Sequence, residues 1–230
     1  MRALISPRQP PGAASIASSA ERAADRSPVA QRSRARQVEL TATVIVAARR
    51  LVGERGDRFT IQELVKESGI ALQTFYRLFA SKDELLLAVL GDLISERCAQ
   101  LEEAAQELPD PVQRVRFYVT SVLDVLDGAE DPTGPRFTTA QHWRLYQLFP
   151  TEMSQTTQIF ADLVARQLEL ARLQGLLPET DPPRDAWFVT HLVLSVYHHY
   201  AFAERDRGAA TSAEDLWRFC RRALGEGPSD

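Results

Sequence analysis

Four side chains suited to meeting a polyanion stand close together in the stretch TIQELVKESGIALQTFYRLF, residues 60–79: Gln73, Thr74, Tyr76 and Arg77. A glutamine pairs bidentately with adenine N6 and N7, and a threonine offers a hydroxyl or a methyl to a base edge. Tyrosine and arginine donate to phosphates, which positions a helix without reading sequence. Thr60 stands at a helix start, where free N–H groups already favour a phosphate. Lys82 places a point charge at the start of the following helix, and Leu72 either packs inward or touches a thymine methyl. Taken singly, each of these residues suits the wet face of an ordinary helical hairpin equally well.

The array depends on the elements that would hold it. Thr60-Ile61-Gln62-Glu63 is a capping box, in which threonine and glutamate satisfy each other's orphan amides. Phe59 and Leu64 occupy the hydrophobic-staple positions around it. Ile61, Leu64 and Val65 give the first short helix an inward face, and Gly69 supplies a turn residue tolerant of positive φ. Ile70, Phe75 and Phe79 anchor the second helix, leaving the polar and aromatic side chains outside. Ser81-Lys82-Asp83-Glu84 repeats the capping box for a third, longer helix. Two short helices with such a second face suit entry into a DNA major groove.

Charge supports a basic end on an acidic body. Residues 1–80 carry thirteen Lys/Arg against seven Asp/Glu, while the whole chain is at −4. Most of the excess lies in residues 1–36, an Ala/Ser/Pro/Arg-rich segment read as a disordered basic arm. Arg32, Arg34 and Arg36 abut the first helix there, in reach of phosphates or a minor groove. The two cysteines, Cys98 and Cys220, have no metal-like spacing and suit a reducing cytoplasm.

From residue 37 the chain reads as all-α. Val44, Ala47, Ala48 and Leu51 form one apolar stripe, and Asp110-Pro111 opens a helix whose apolar positions recur from Val112 to Leu126. Residues 128–134 read as a loop, Pro150 and Gly175 as stops, and helices follow at about 184–205 and 213–224, the last opened by Ser212 and Asp215. No segment alternates with the period of a half-buried strand.

Residues 37–97 resemble the N-terminal domain of the tetracycline-repressor (TetR) family, on VELTATVIVAARRLVGERG, TIQELVKESGI and TFYRLFASKDELLLAVL. The Tyr-x-x-Phe-x-x-Lys element is Tyr76, Phe79 and Lys82. The resemblance implies a bacterial, cytoplasmic transcriptional regulator with a helix-turn-helix head at 37–97. It further implies a ligand-binding and dimerisation domain at 98–230, and DNA contacts at Thr60, Gln73, Thr74, Tyr76, Arg77 and Lys82. The expected protein is a homodimeric repressor on a palindromic operator, released by a small lipophilic or aromatic effector. Two residues depart from the family pattern: Ala71 replaces a frequent capping serine, and Gln73 replaces a frequent glycine.

In residues 98–230, Ala186 to Ala203 contains no charged residue over eighteen positions. A helix apolar nearly all round is buried on several sides, here against its own domain and a partner's copy. That places Leu194, Tyr197, Leu216 and Trp217 at a dimer interface. His142, Trp143, Tyr146, Phe160, Trp187 and His198 are candidate walls of an apolar pocket with polar handles, although simple core packing is the more ordinary role for each aromatic. His191 and His198 lie two turns apart, about 10 Å along a helix, too far to share a metal. Neither a metal nor a cofactor is expected, and its histidines make this helix a poor membrane span. No nucleophile elbow, phosphate loop or catalytic carboxylate pair occurs, so the chain is not expected to be an enzyme. Alternative readings are a helix-turn-helix protein without an effector, such as an adaptor or architectural factor, and an activator.

Overall fold

The computed structural model describes residues 27–128, 133–202 and 209–225. Among these residues there are nine α-helices and no strands. In chain order they are α1 (Pro28–Arg55), α2 (Ile61–Ser68), α3 (Leu72–Leu78), α4 (Lys82–Ala104), α5 (Pro111–Gly128), α6 (Thr133–Leu148), α7 (Pro150–Leu173), α8 (Pro182–Tyr200) and α9 (Ala209–Ala223). A 3-10 turn at Gly56–Arg58 joins α1 to α2.

The expected first stripe is present: Val44, Ala47, Ala48 and Leu51, with Val52, are the buried residues of α1. The helix also runs further toward the N-terminus than the disordered arm at 1–36 allows. Pro28 occupies its first turn and residues 28–36 are helical and exposed. The reason is local: after Pro28 the segment is mostly Ala, Gln and Arg, all favourable in helices. The rest of that arm, residues 1–26, lies outside the described residues.

The caps form largely as the sequence predicts. Thr60 accepts from the Glu63 amide at 3.2 Å, while the Glu63 carboxylate accepts from the Thr60 amide at 2.7 Å. Ser81 accepts from the Glu84 amide, but Glu84 reaches back to the Ala80 amide instead of completing a strict box. Gly69 ends α2 at φ 68°, the left-handed region where a Cβ is penalised. Asp110 caps the start of α5 through the Gln113 amide. Ser212 does not open α9, which starts at Ala209; its hydroxyl instead meets the Tyr200 hydroxyl at 2.6 Å. The α8 helix ends at Tyr200 rather than near 205.

Two apolar cores form. One gathers Val44, Phe59, Leu64, Phe75, Phe79, Leu86 and their neighbours, and is completed by Phe137, Leu145 and Met153 from α6 and α7. The other joins α4, α5, α7, α8 and α9 around Tyr118, Leu123, Leu163, Val193 and Trp217. Ile94 packs against both. The boundary expected after residue 97 is therefore not a clean break, because the first core closes only with residues beyond it.

Candidate functional site

The outer face of α3 is as the sequence predicts. Phe75 is buried beneath it with Phe79, while Leu72, Gln73, Tyr76 and Arg77 are exposed and Thr74 is half-buried. Packing of Phe75 edge-on to the Tyr76 ring, at 5.2 Å between centroids, orients the tyrosine. Ala71 caps α3 without a side-chain hydrogen bond, so the first amides of α3 gain no partner from that residue. Thr60 is exposed at the start of α2. Beside α3, a surface groove is lined by Ser33, Arg36 and Gln37 of α1 together with Ala71, Thr74 and Arg77. The helical extension of α1 thus lays Arg36 alongside Arg77, an arrangement that a disordered segment at 1–36 would not provide.

Lys82 stands at the start of α4, half-buried. Its ammonium donates to the Asp57 carbonyl and, at 2.6 Å, to the Phe59 carbonyl. It also sits 4.4 Å above the Phe59 ring centroid. Burial pushes Lys82 below the usual lysine range, with Asp57 opposing that shift. Two of its three N–H groups therefore fasten the entry to α2.

The same corner carries bonds from α6. Gln141 donates to the Asp57 carboxylate at 3.0 Å, Arg144 donates to Gln141 at 3.1 Å, and Arg144 also pairs with Asp83 on α4. Phe137 lies 3.9 Å from where a Cβ on Gly56 would stand.

A cavity of about 210 Å³ lies at the seam of the two cores. Leu90, Leu93, Ile94 and Leu101 of α4 form one wall, with Val122 and Val125 of α5 and Val193 and Leu194 of α8 around it. Its polar groups are Arg97, Cys98, Thr138, His142, Thr157, Thr190, Tyr197 and His198. The His142 and His198 rings meet at 4.7 Å between centroids. Burial, then the neighbouring imidazole, lowers His198 to about 4, and burial lowers His142 as well. Tyr197 is hydrogen-bonded to Thr138, and burial raises its phenol to about 12. Burial likewise raises the Cys98 thiol to about 11.

Of the six expected pocket residues, His142, Phe160 and His198 line the cavity. The other three do not. Trp143 is 61% exposed, although its ring lies 5.7 Å from that of His198. Tyr146 is exposed and bonded to Ser154, and Trp187 lies on the outer side of α8, stacked on His191 at 4.0 Å. Their places on the helices explain this. Trp143 is one residue round α6 from His142, while Tyr146 and Trp187 each lie about a turn beyond the cavity residues His142 and Thr190.

The four residues expected at a dimer interface fall in two surroundings within the chain. Leu194 and Tyr197 line the cavity, while Leu216 and Trp217 are buried in the chain's own second core. The apolar side chains left outside on these helices are Trp187, Phe188 and Phe219. Arg97 is a cavity residue that the sequence reading missed, and its charge between the apolar helical neighbours Leu93, Ile94 and Leu101 on α4 was the available signal. No cluster of three or more His, Cys, Asp or Glu side chains able to hold a metal occurs among the described residues. No helix among them is long and apolar enough to cross a membrane.

Residues 44–89 match the family model for bacterial regulatory proteins of the tetR family. The match spans the end of α1, the whole of α2 and α3 and the start of α4, the elements that hold the exposed face of α3. Similar solved structures extend the likeness to the whole fold. A TetR-family transcriptional regulator from Pectobacterium atrosepticum superposes at TM-score 0.71 with 19% identity, covering 85% of this chain and 99% of that one. FadR of Thermus thermophilus, a repressor in complex with lauroyl-CoA, superposes at 0.65 with 21% identity, covering 83% and 98%. FadR of Bacillus subtilis, in complex with stearoyl-CoA, superposes at 0.61 with 13% identity, covering 81% and 99%. No curated protein matches the chain in sequence.

Proposed function

We propose that this protein is a one-component repressor, acting in the bacterial cytoplasm as a homodimer and released from a palindromic operator by a small lipophilic ligand. The observation that carries the reading is the double role of α6. Thr138 and His142 on that helix line the cavity, while Phe137, Gln141, Arg144 and Leu145 hold the head at Gly56, Asp57, Asp83 and the first core. A ligand that shifts α6 acts on Asp57, and through the Lys82 tether on the start of α2. The helix at Ser81, α4, lines the same cavity and moves with it.

In this reading Gln73, Thr74 and Leu72 meet base edges, while Tyr76, Arg77, Arg36 and Thr60 meet phosphates. Lys82 contributes its remaining N–H and chiefly sets the angle of α2. Trp187 and Phe188 of α8, in ring contact with each other, and Phe219 of α9 are large apolar side chains left exposed, which supports a partner face on these two helices. A twofold dimer sets two copies of α3 about one DNA turn apart, roughly 34–36 Å, or a multiple of it. Ligand-dependent change in that spacing releases DNA. A shift from 1:99 to 99:1 between the two geometries needs about 5.5 kcal/mol of ligand preference.

Footprinting of the purified full chain on its own upstream DNA tests the proposal. The expected result is a protected palindrome that an apolar ligand of the cavity uncovers. Failure to protect any palindrome in a genome-wide selection overturns the repressor reading. Protection that no cavity ligand relieves favours the effector-free alternative, and raised transcription from a protected promoter favours an activator.

A further inference from the structure

Arg97 lies on α4 beside Leu93, Ile94 and Leu101, and lines the cavity with them. Its Nη2 donates to the Ser121 carbonyl at 3.0 Å, and its buried Nε has no hydrogen-bond partner. None of the ion pairs among the described residues includes it, although arginine–carboxylate pairs form widely elsewhere, from Arg49–Asp92 to Arg218–Asp215. In this arginine-rich chain, surface guanidiniums find carboxylates readily, and the one facing the cavity does not.

A second polar orphan lines the same space. Thr190 on α8 is 0% exposed, and its Oγ1 has no partner. Buried polar groups in native proteins are nearly always paired, and an unpaired donor on a cation is the most costly kind. The remaining polar lining is uncharged at neutral pH, with both imidazoles neutral and the thiol and phenol protonated. Among the described residues, no Asp or Glu lines the cavity. The cavity thus offers one positive charge, with hydroxyls, inside an apolar wall.

We infer that the effector is a lipophilic monocarboxylic acid whose carboxylate is gripped by Arg97 and whose hydrocarbon body fills the space between α4, α5, α7 and α8. The inference rests on the ligand-released repressor reading and narrows it. Guanidinium and carboxylate match in planar, two-bond geometry, which an alcohol or amine cannot supply. A single charge also argues against an acyl-CoA, the ligand class of the two FadR structures, whose phosphates would each call for basic partners. Size points the same way. At about 30 Å³ for a water-sized group, the cavity of about 210 Å³ holds about seven such groups, the scale of a medium-chain acid such as octanoate and far below that of an acyl-CoA.

The test is calorimetric titration of the full chain with octanoate, 1-octanol, octylamine and octanoyl-CoA, repeated on Arg97→Met and Arg97→Lys. Octanoate is expected to bind about ten- to a hundredfold more tightly than 1-octanol, the gain of a charge-assisted bond over a neutral one. Arg97→Met should erase that preference, and Arg97→Lys should keep part of it. If 1-octanol binds as well as octanoate, or the preference survives Arg97→Met, the carboxylate assignment is wrong while the lipophilic-ligand reading stands. Binding of octanoyl-CoA alone overturns the assignment in the same way. If none of the four binds and none frees DNA, both readings fall. Circular dichroism checks that the variants fold, and should Arg97→Met not fold, the ligand ratios on the unaltered chain still decide.

Discussion

The head and the cavity treat their polar groups in opposite ways. Around α2 and α3, Thr60, Glu63, Ser81, Glu84, Lys82 and Gln141 all find partners. Around the cavity, Arg97 Nε and Thr190 Oγ1 do not. Closed hydrogen bonding holds a surface rigid enough to meet base edges whose spacing is fixed. Open valences in an apolar wall suit a site whose chemistry is finished by something else. Where the two regions meet, at Ile94 and α6, a change in one can reach the other.

The largest expected effect lies on the head side. Phe75 is fully buried under α3, so Phe75→Ala should cost about 3–5 kcal/mol and abolish DNA binding, as read by thermal melting and mobility shift. An unchanged melting temperature would show that the head core does not depend on it. Next comes Gln73→Ala. It should erase about 1–3 kcal/mol of discrimination at one operator position while leaving the salt dependence intact. Arg77→Ala or Arg36→Ala should instead weaken all sequences alike and lower the salt slope by about 1. Identical binding profiles for these variants would remove the division between reading and positioning.

A smaller loss is expected at the cap. Thr60→Ala deletes the acceptor for the Glu63 amide and should cost about 1 kcal/mol of stability, visible as a lower melting temperature. At the seam, Gln141→Leu removes the bond to Asp57 with little change in volume. It should leave ligand affinity nearly intact while reducing ligand-driven release of DNA. Loss of both together would mean that Gln141 supports the cavity itself rather than the link.

A further effect is one of pH. His198 and His142 are held neutral by burial, below the ordinary histidine value of 6.5. The unfolded chain therefore takes up protons first as pH falls. The stability of the pair is full above about 6.5 and is lost as pH drops toward the folded value of His198, about 4. His198→Phe should flatten the fall in melting temperature between pH 7 and pH 5. An equal fall in both proteins would show that His198 titrates alike folded and unfolded.

What could be read in advance follows the range of the interactions. The caps at Thr60 and Ser81, the turn at Gly69 and the anchors Phe75 and Phe79 sit within a few residues of what they contact, so spacing alone places them. The cavity draws walls from α4 to α8, and membership depends on how helices far apart in sequence are turned and slid against one another. Phe160 and His198 could be picked by type, but Trp143, Tyr146 and Trp187 share that type and face outward. The same limit sent Leu216 and Trp217 to a partner when their own α5 covers them. The bonds of Lys82 could not be read in advance, because its acceptors are the backbone carbonyls of Asp57 and Phe59, which leave no mark in the side-chain pattern.

The three tryptophans of the chain occupy three different surroundings. Trp217 is 5% exposed in the second core, Trp187 stacks on His191 at the outer face, and Trp143 borders the cavity through His198. Indole emission responds to solvent and to nearby rings, so each reports a separate event without any added label. Unfolding should red-shift Trp217, self-association should blue-shift Trp187, and ligand entry should alter Trp143. Two single-tryptophan chains, each keeping one of the outer pair, would let spectroscopy time the order in which effector and partner are felt.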